Sequence, residues 1–451
     1  MEELRDISEI REEVDDMLRE RRYSKLRQTL SVMNEADIAT LFEEIDEKEM
    51  PLLYRLLPKE EAADTFTYMS RDLQTTLINT LTDHELREVM DDVFLDDTVD
   101  MIEEMPANVV ARILRNTDEE TRKMINQVLN YPKDSAGSLM TIEYVNVKKE
   151  MTVGEAISRI RSMKVDKETI YTCYVTENRK LIGIVTVKDL LQSQDEQRID
   201  EIMETNVIYV DTHEDKEEVA KMFSKYDFLA MPVVDKEGRL VGIVTFDDAM
   251  DVIEDETTED ITKMAAMAPS EDSYFNTPIL VHAKNRIVWL LFLMLSATIT
   301  GTIITKYENA FAAIPLLVSF IPMLMDTGGN CGSQSSTLII RGIALDEIKF
   351  KDLFRVVFKE FRIALLVSLI LAVVNGLRIY IMYRDLSLAI VIGVSLMGTI
   401  ILAKLIGCML PLLAKKLGLD PAIMAAPLIT TIVDTCSTLI YFNIATMVFH
   451  L

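Results

Sequence analysis

The chain has 451 residues, of which 49% are hydrophobic, and a net charge of −26. Residues 1–283 carry a net charge of −31 and residues 284–451 one of +5, which predicts an acidic soluble half followed by a membrane half. An acidic surface of this size excludes a general nucleic-acid footprint, because such a footprint needs a basic face. The acidic surface either attracts cations or only confers solubility, and the charge alone leaves both interpretations open.

The common signatures of catalysis are absent from the sequence. The four cysteines form no CxxC pair, and the four histidines are scattered along the chain. The sequence has no Ser/His/Asp grouping, no P-loop and no GxGxxG motif. No zinc site or disulfide framework follows from this cysteine usage. We therefore predict that the protein is not an enzyme.

Residues 1–134 have the pattern of an all-α domain. Short amphipathic runs begin at Asn34, Pro58, Thr82 and Asp118. Each run has acidic residues in its first turn, as a capped helix does. Their spacing predicts stacked helical hairpins that form a small superhelix, with a role in interaction or sensing.

Residues 135–198 and 199–250 form an internal repeat. The first copy ends in LIGIVTVKDLL and the second in LVGIVTFDDAM. Each copy combines an amphipathic helix with two strands, and the repeat resembles a tandem pair of α+β CBS domains, which often bind adenine nucleotides. The Thr-x-x-Asp ending suits contacts with a ribose or phosphate group, whereas Thr186 and Thr245 are equally suited to cap the helices that follow them.

The acidic segment 251–283 connects the repeat to the membrane half and begins with a predicted helix over 251–268. Its carboxylates recur at i, i+4 spacing, which destabilises an isolated helix. A solvated face is the usual explanation for a run of charges. The density of acids beside the membrane favours cation coordination, and carboxylate oxygens suit Mg²⁺ or Ca²⁺.

Residues 284–451 are predicted to be an α-helical membrane domain with five spans, since about twenty apolar residues suffice to cross a bilayer. The loop after the second segment carries six basic residues, and the loop after the fourth carries Lys415 and Lys416. The positive-inside rule places both loops and the acidic half in the cytoplasm, with the C-terminus outside. The apolar segments lie at 286–305, 311–340, 363–383, 386–414 and 422–449.

The last apolar segment has one carboxylate, Asp434, near its middle. A charge at that depth is costly unless a cation, a partner or water compensates it. On a helix, Thr430, Thr438 and then Tyr441 or Asn443 share its face. We interpret this polar stripe as a cation pathway. The alternative is a buried carboxylate that a basic residue or hydroxyl groups satisfy.

The second apolar segment is interrupted by the polar run MDTGGNCGSQSST. Asp326, Asn330 and Gln334 are at i, i+4 and i+8, so a continuous helix stacks them on one face. The glycines between them permit either a close helix approach or a local break. We interpret this face as the lining of a pore, with contacts between helices as a secondary role.

Together these features resemble the MgtE family of magnesium channels. The motifs MDTGGNCGSQSSTLIIRG and PLITTIVD carry the resemblance in the membrane half, and the resemblance covers nearly the whole chain. It implies a homodimer in the plasma membrane whose pore lies between the subunits and is lined by the second and fifth spans. It also implies that Asp434 meets hydrated Mg²⁺ in that pore.

The resemblance further implies regulatory Mg²⁺ sites wherever the family's carboxylates are matched in this sequence. The matched residues are Asp96 and Asp100 in the N-terminal domain, Asp215, Glu217, Asp227 and Asp248 in the second repeat, Asp251, Glu256, Glu259 and Asp260 in the connecting, or plug, helix, and Asp420 before the last span.

An ATP site implied by the resemblance uses Tyr171, Lys188, Asp189 and Phe228. A lysine at 188 stands where the family pattern has arginine, and the two side chains are not interchangeable. The implied function is import of Mg²⁺ through a channel that cytosolic Mg²⁺ closes by bridging acidic domains. The alternative is a secondary transporter for another divalent cation, such as Co²⁺ or Mn²⁺, that is regulated by the repeat.

Overall fold

The structure is a computed structural model that describes residues 7–163, 169–270, 274–275, 277–308 and 314–450. The chain divides into two compact units, residues 1–253 and 254–451. The first unit contains short helices followed by two small sheets, and the second contains long helices. The predicted fold class, which is helical, then α+β, then helical again, is confirmed.

Short helices, α1–α10, make up the N-terminal part of the first unit. The predicted starts are confirmed, because the side chains of Asn34, Thr82 and Asp118 cap α3, α7 and α10, and Pro58 precedes α5. The helices are Ile7–Arg19, Tyr23–Leu30, Glu35–Glu44, Met50–Tyr54, Lys59–Thr67, Arg71–Thr80, Asp83–Met90, Leu95–Glu104, Ala107–Asn116 and Glu119–Val128.

Alternate helices in this series pack against each other. Helix α3 contacts α1 and α5, α7 contacts α5 and α9, and the same spacing relates α4 to α6 and α8 to α10. Their apolar faces meet in one continuous core that fully buries Phe42, Phe66 and Leu77. This arrangement is the predicted superhelix, since each helix buries its apolar face only by stacking on neighbours in the series.

The internal repeat folds into two three-stranded sheets with the same topology. In each sheet the first strand is parallel to the second, and the second is antiparallel to the third. The strands are β1 Val145–Val147, β2 Thr172–Glu177, β3 Lys180–Thr186, β4 Val210–Asp211, β5 Ala230–Val234 and β6 Leu240–Thr245. The helices are α11 Ala136–Leu139, α12 Val153–Ser162, α13 Val187–Gln192, α14 Ile199–Ile202 and α15 Lys216–Tyr226.

The two copies exchange their leading segments. Thr141, at the start of the first copy, pairs with Ile243 in the second sheet, and Glu204, at the start of the second copy, pairs with Ile184 in the first sheet. Met140 accordingly lies in the core of the second sheet and Met203 against that of the first. The sequence pattern assigned each leader to its own copy, whereas the structure uses it to bind the other copy.

The acidic helix α16 spans Phe246–Met264 and begins directly after β6. The predicted helix over 251–268 is therefore present, but it starts five residues earlier than predicted. The Thr245 hydroxyl donates to the Asp248 carboxylate across 2.6 Å, which stabilises the first turn. The helix ends near Ala266, whose φ of 54° is left-handed.

Five long helices, α17–α21, make up most of the second unit. They are Ile279–Lys306, Ile321–Ala344, Leu353–Tyr383, Leu386–Lys416 and Ala426–Phe449. In the described part of the chain, four segments are long and apolar enough to span a membrane, and these contain α17, α19, α20 and α21. Helix α18 differs because it carries the polar run, and it packs against both α20 and α21.

The predicted loop 341–362 is wrong at both ends, because α18 continues to Ala344 and the next helix starts before residue 362. Helix α19 begins at Leu353 rather than near residue 363, so Arg355, Lys359 and Arg362 lie on a helix. The helix extends because Val356 and its neighbours pack against the C-terminal end of α18 and against α20. The positive-inside argument depends only on the number of basic residues in this segment, so the helical backbone does not change that argument.

Helix α18 is continuous, which excludes the local break that its glycines permit. The glycines instead allow α18 and α20 to touch. A Cβ atom on Gly407 would collide with the carbonyl oxygen of Gly332, so the two backbones are in direct contact at this crossing. Small residues at such a crossing let membrane helices approach closely.

We expect Gly407→Ala to destabilise the second unit by about 1–3 kcal/mol, because overpacking forces the two backbones apart. Gly301→Ala is the matched control, since nothing lies within 4 Å of a Cβ atom on Gly301. Thermal unfolding of the purified protein in detergent measures both effects. Equal melting temperatures for the two variants would show that the crossing tolerates the additional carbon.

Candidate ion pathway and nucleotide cavity

Helix α18 has two faces of different character. Its buried face contains small residues, including Gly328, Gly332 and Ser335, which pack on α20 and α21. Asp326, Asn330 and Gln334 lie on the opposite, exposed face, as the i, i+4, i+8 spacing predicts. The structure therefore brings these three side chains into one stripe. A stripe of this kind belongs against protein or water and not against lipid.

Asp434 lies on α21, and its Oδ1 atom is buried without a hydrogen-bond partner in the part of the chain that the structure describes. The nearby charge of Asp326 repels it, so the two carboxylates belong to one electrostatic site. Thr430 packs against Gly329 and donates its hydroxyl to the Ala426 carbonyl. An unsatisfied carboxylate oxygen beside a second carboxylate is suited to bind a cation.

The rest of the predicted stripe on α21 has structural roles. Tyr441 is buried and donates its hydroxyl to the Leu317 carbonyl across 2.9 Å, so it anchors α21 to the turn before α18. Thr438 donates to the Asp434 carbonyl across 2.7 Å, and Asn443 donates to the Leu439 carbonyl. None of these hydrogen bonds satisfies the orphaned carboxylate oxygen of Asp434.

A buried ionic network joins three membrane helices and was missed by the sequence reasoning. Lys404 on α20 donates to the Ser335 hydroxyl on α18 across 3.2 Å, and Ser335 donates to the Glu360 carboxylate on α19 across 2.7 Å. The three residues are at most 7% exposed. Lys404 inside an apolar run is the sequence signal that could have revealed this network.

In the first unit, a group of carboxylates surrounds Asp97. Burial first, and then the charges of Asp247, Asp251 and Asp64, raise the pKa of Asp97 to about 6. Asp96, which is a predicted ligand, is buried beside it, and its Oδ1 atom accepts from the Asp97 backbone N–H. Asp97, Asp247 and Asp64 are thus acids of this group that the matched family pattern did not include.

Asp248 belongs to the same group. Burial raises the pKa of Asp248 well above its usual value, the Thr245 hydroxyl opposes this shift, and the charges of Asp247, Asp100 and Asp97 add to it. Four of the predicted regulatory carboxylates, Asp96, Asp100, Asp248 and Asp251, therefore lie at or beside one acidic group. Among the described residues, no three His, Cys, Asp or Glu side chains are already arranged as a metal site.

We expect stability of the Mg²⁺-free first unit to rise as the pH falls from 7 towards 4. Because the folded pKa of Asp97 is about 6 and the ordinary pKa of an aspartate is 3.8, the folded state binds the proton more tightly across this window. Asp97→Asn should stabilise the unit at pH 7 by about 3 kcal/mol and flatten this pH dependence. Thermal unfolding in chelator at pH 7 and pH 5 measures both effects, with exposed Asp91→Asn as the control. An unchanged slope for Asp97→Asn contradicts the assignment.

In the second unit, the connecting helix α16 meets the loop before the last span through a lysine. Lys263 lies 2.6 Å from a Glu259 oxygen and 2.7 Å from an Asp420 oxygen. Burial alone lowers the pKa of Lys263, but its hydrogen bonds with Asp420 and Glu259 raise it overall. An ammonium group therefore joins the two carboxylates for which a metal ion was predicted, while Glu256 and Asp260 are half-buried on α16.

The remaining predicted regulatory carboxylates are at the ends of α15. Asp215 caps the helix by accepting from the backbone N–H groups of Glu217 and Glu218. Glu217 pairs with Lys221 across 2.7 Å. Asp227 is the C-cap and has a left-handed φ of 55°. Each of these three residues has a local structural role. That role does not by itself produce a metal site.

A cavity of about 850 Å³ lies between the two copies of the repeat. The predicted residues Tyr171, Lys188 and Phe228 line it. Tyr226, which the sequence reasoning missed, also lines it and stacks on Phe228 with ring centroids 5.5 Å apart. The described part of the wall thus offers aromatic faces and the cation of Lys188, which suit a planar base and a phosphate.

Asp189 does not line this cavity. Its carboxylate accepts hydrogen bonds from the backbone N–H and the hydroxyl of Thr186, and the Asp189 N–H donates back to that hydroxyl. This is a capping box at the start of α13. Thr186 also lines the cavity, so the capping role and a contact with a ligand are compatible for Thr186.

Comparisons with known proteins agree with this architecture. Residues 321–444 match the family model described as divalent cation transporter, residues 33–134 match the MgtE intracellular N domain, and residues 136–196 and 199–255 match CBS domains. The crystal structure of the cytosolic domain of the Mg²⁺ channel MgtE in complex with ATP is 38% identical, has a TM-score of 0.50 and covers 53% of this chain and 98% of its own. The soluble part of a magnesium transporter is 28% identical, with a TM-score of 0.52 and coverage of 56% and 99%.

Full-length relatives extend the similarity through the membrane half. Magnesium transporter MgtE of Thermus thermophilus is 37% identical over 425 residues, which are 93% of this chain and 94% of that protein. Magnesium transporter MgtE of Bacillus subtilis is 34% identical over 435 residues, or 96% of each chain. With this identity along nearly its entire length, and with the N domain, the CBS pair and the membrane helices in the same order, the chain belongs to the MgtE family of magnesium transporters.

Proposed function

We propose that the protein is a channel that imports Mg²⁺ across the plasma membrane along a path lined by α18 and α21. The observation that carries this proposal is the buried, unpartnered Oδ1 atom of Asp434 beside the charge of Asp326. Mg²⁺ as substrate compensates both charges. Because Mg²⁺ releases its waters reluctantly, a carboxylate that contacts the hydrated ion is a suitable pore ligand.

The exposed stripe of Asp326, Asn330 and Gln334 supports a pathway between two subunits. Within one chain this stripe lies on the outer face of α18, where lipid is an unsuitable neighbour for a carboxylate and two amides. A homodimer places two such stripes face to face and encloses a polar path. In our proposal the first unit is cytoplasmic and the C-terminus lies outside.

Cytosolic Mg²⁺ closes this channel in our proposal. The raised pKa of Asp97 reflects the burial and mutual repulsion of acids in its group, and a divalent cation relieves that repulsion. A regulatory ion shifts the equilibrium only if it binds the closed state more tightly than the open state. Carboxylates on α16, including Glu259 and Asp260, add ligands beside the membrane unit.

ATP is the proposed nucleotide ligand of the cavity between the repeats. The relative's cytosolic domain was solved in complex with ATP. In this chain Tyr171, Tyr226 and Phe228 offer aromatic faces and Lys188 offers a cation. A lysine interacts with phosphate as a point charge rather than through a bidentate fork, so Lys188→Arg is expected to tighten binding of ATP.

The test of this proposal is Mg²⁺ uptake into liposomes that contain the purified protein, with Mg²⁺ controlled on both faces. We expect uptake that cytosolic-side Mg²⁺ suppresses, and suppression that needs more Mg²⁺ in the double variant Glu259→Gln/Asp260→Asn. Potassium chloride of matched ionic strength is the control for screening. If K⁺ suppresses uptake as well as Mg²⁺ does, or the double variant closes at the wild-type concentration, these carboxylates do not form the gate. Uptake that follows a proton or Na⁺ gradient supports the alternative secondary transporter.

A further inference from the structure

The first turns of α19 carry an exposed face with two kinds of side chain. Phe354 is 85% exposed and Phe358 is 63% exposed. Arg355, Lys359 and Arg362 are exposed beside them, at i, i+4 and i+7 spacing along the helix. These five residues are called the basic–aromatic face. It combines cations with large apolar surface, whereas an ordinary solvated helix face is polar.

Packing on the opposite side fixes the direction of this face. Leu353, Val356 and Val357 pack against Ile339 on α18 and Leu412 on α20. Glu360, on the same inner side, accepts the hydrogen bond of Ser335. Helix α19 therefore cannot rotate its exposed side inward without breaking this core. The phenylalanines and cations point away from the rest of the second unit.

Among the described residues, these three cations have no salt bridge within the second unit. Arg355 also lies in the first turn of α19, where the positive end of the helix dipole disfavours positive charge. In the described part of the second unit, the salt bridges involve other lysines, Lys263 and Lys349. Within the face, the guanidinium carbon of Arg362 lies 6.0 Å from the centroid of the Phe358 ring. An external anionic partner accounts for three exposed cations that have no salt bridge in the described part of the second unit.

The position of the face along α19 identifies that partner. The segment Phe350–Tyr383 is long and apolar enough to span a membrane, so the face lies at one end of a span. Aromatic rings and cationic side chains that extend from a span meet the headgroup region, and anionic headgroups attract Lys and Arg. We propose that the basic–aromatic face binds the headgroups of anionic phospholipid. An acidic protein surface alone would leave Phe354 and Phe358 in water.

The proposed site is testable in the full-length protein with tryptophan as a local reporter. The chain has one tryptophan, Trp289, so Trp289→Phe together with Phe354→Trp yields a single reporter in the face. Its fluorescence is measured in bilayers that mix phosphatidylglycerol and phosphatidylcholine, with bromine on the acyl chains of one lipid at a time. We expect phosphatidylglycerol to be enriched beside residue 354 at least about fivefold, which is the effect of one cation near the surface.

Two variants separate charge from aromatic contact. Replacing Arg355, Lys359 and Arg362 by glutamine should abolish the enrichment, while Arg355→Lys with Arg362→Lys should retain it and serves as the folded comparison. A reporter at Val373, which is 61% exposed in the middle of the same span, should show no preference between the lipids. Added salt should reduce the enrichment at residue 354.

Three results would overturn the inference. The first is equal quenching by both lipids at residue 354, and the second is an enrichment that survives the triple glutamine change. The third is a reporter that neither brominated lipid quenches, which would show that protein covers the face. None of these measurements depends on transport, so the inference and the proposed function can fail separately.

Discussion

Asp434→Asn is expected to reduce Mg²⁺ uptake at least about 100-fold. Two unit charges 4 Å apart attract by about 4 kcal/mol at an effective dielectric near 20, and a divalent ion doubles this attraction, so losing even about 3 kcal/mol has an effect of that size. The amide has the shape of the carboxylate. Folding should be retained, because Oδ1 of Asp434 has no hydrogen bond to lose in the described structure.

Initial rates of Mg²⁺ uptake into liposomes measure this effect, and thermal unfolding of the same preparation checks the fold. Asp346→Asn is the matched control, since that acid pairs with Lys349 at an exposed position of the same unit. We expect Asp326→Asn to have a smaller effect, because Asp326 is exposed and Asp434 is half-buried. Uptake at the wild-type rate by folded Asp434→Asn protein would remove this residue from the pathway.

The second large effect is expected from Lys404→Met. This change leaves the buried carboxylate of Glu360 without the cation that Ser335 links to it, and an uncompensated buried charge costs about 3–5 kcal/mol. Glu360→Gln should be similarly costly, because it leaves the ammonium group uncompensated. The double variant should be more stable than Lys404→Met alone, since it removes both charges from the interior.

Melting temperatures of the two single variants and the double variant complete a thermodynamic cycle. Lys416→Met is the control on the same helix, where the cation is exposed and lies over the Phe350 ring. Ser335→Ala tests the bridging hydroxyl while both charges remain. Additive effects of the two single changes would show that Glu360 and Lys404 do not form one network.

Local sequence patterns predicted the elements whose signals are local. The capped starts at Asn34, Thr82 and Asp118 could be recognised because a short side chain, a first-turn acid and helical spacing occur together. The stripe of Asp326 and Asn330 could be recognised because helical spacing alone places them on one face. In both cases the necessary information lies within three turns of helix.

Partners that come from distant parts of the chain could not be predicted in this way. The exchange of Met140 and Met203 between the sheets depends on pairing across the whole repeat. The ammonium of Lys263 reaches Asp420 from another segment, which a count of carboxylates does not reveal. Glu360 was assigned to a loop because the helix start was placed ten residues too late.

Carrying residues over from a family pattern has a different weakness. Neighbouring positions on a helix differ by about 100° in direction, so a family pattern that selects Asp96 gives no information about the side chain of Asp97. The structure places Asp97 near the charges of Asp247, Asp251 and Asp64. Similarly, Asp189 matched the nucleotide pattern, although its carboxylate caps α13. In both cases the direction of the side chain required the structure.

The most direct test of the central claim is the reversal potential of currents through the purified protein in a planar bilayer with a Mg²⁺ gradient. We predict currents that reverse at the Mg²⁺ equilibrium potential, shifting by about 30 mV for each tenfold change in the gradient as expected for a divalent ion. The reversal potential should not move when a pH or Na⁺ gradient is added. A reversal potential that follows the proton or Na⁺ gradient, or the absence of Mg²⁺ current from protein that binds Mg²⁺ and is folded, would contradict a Mg²⁺ channel.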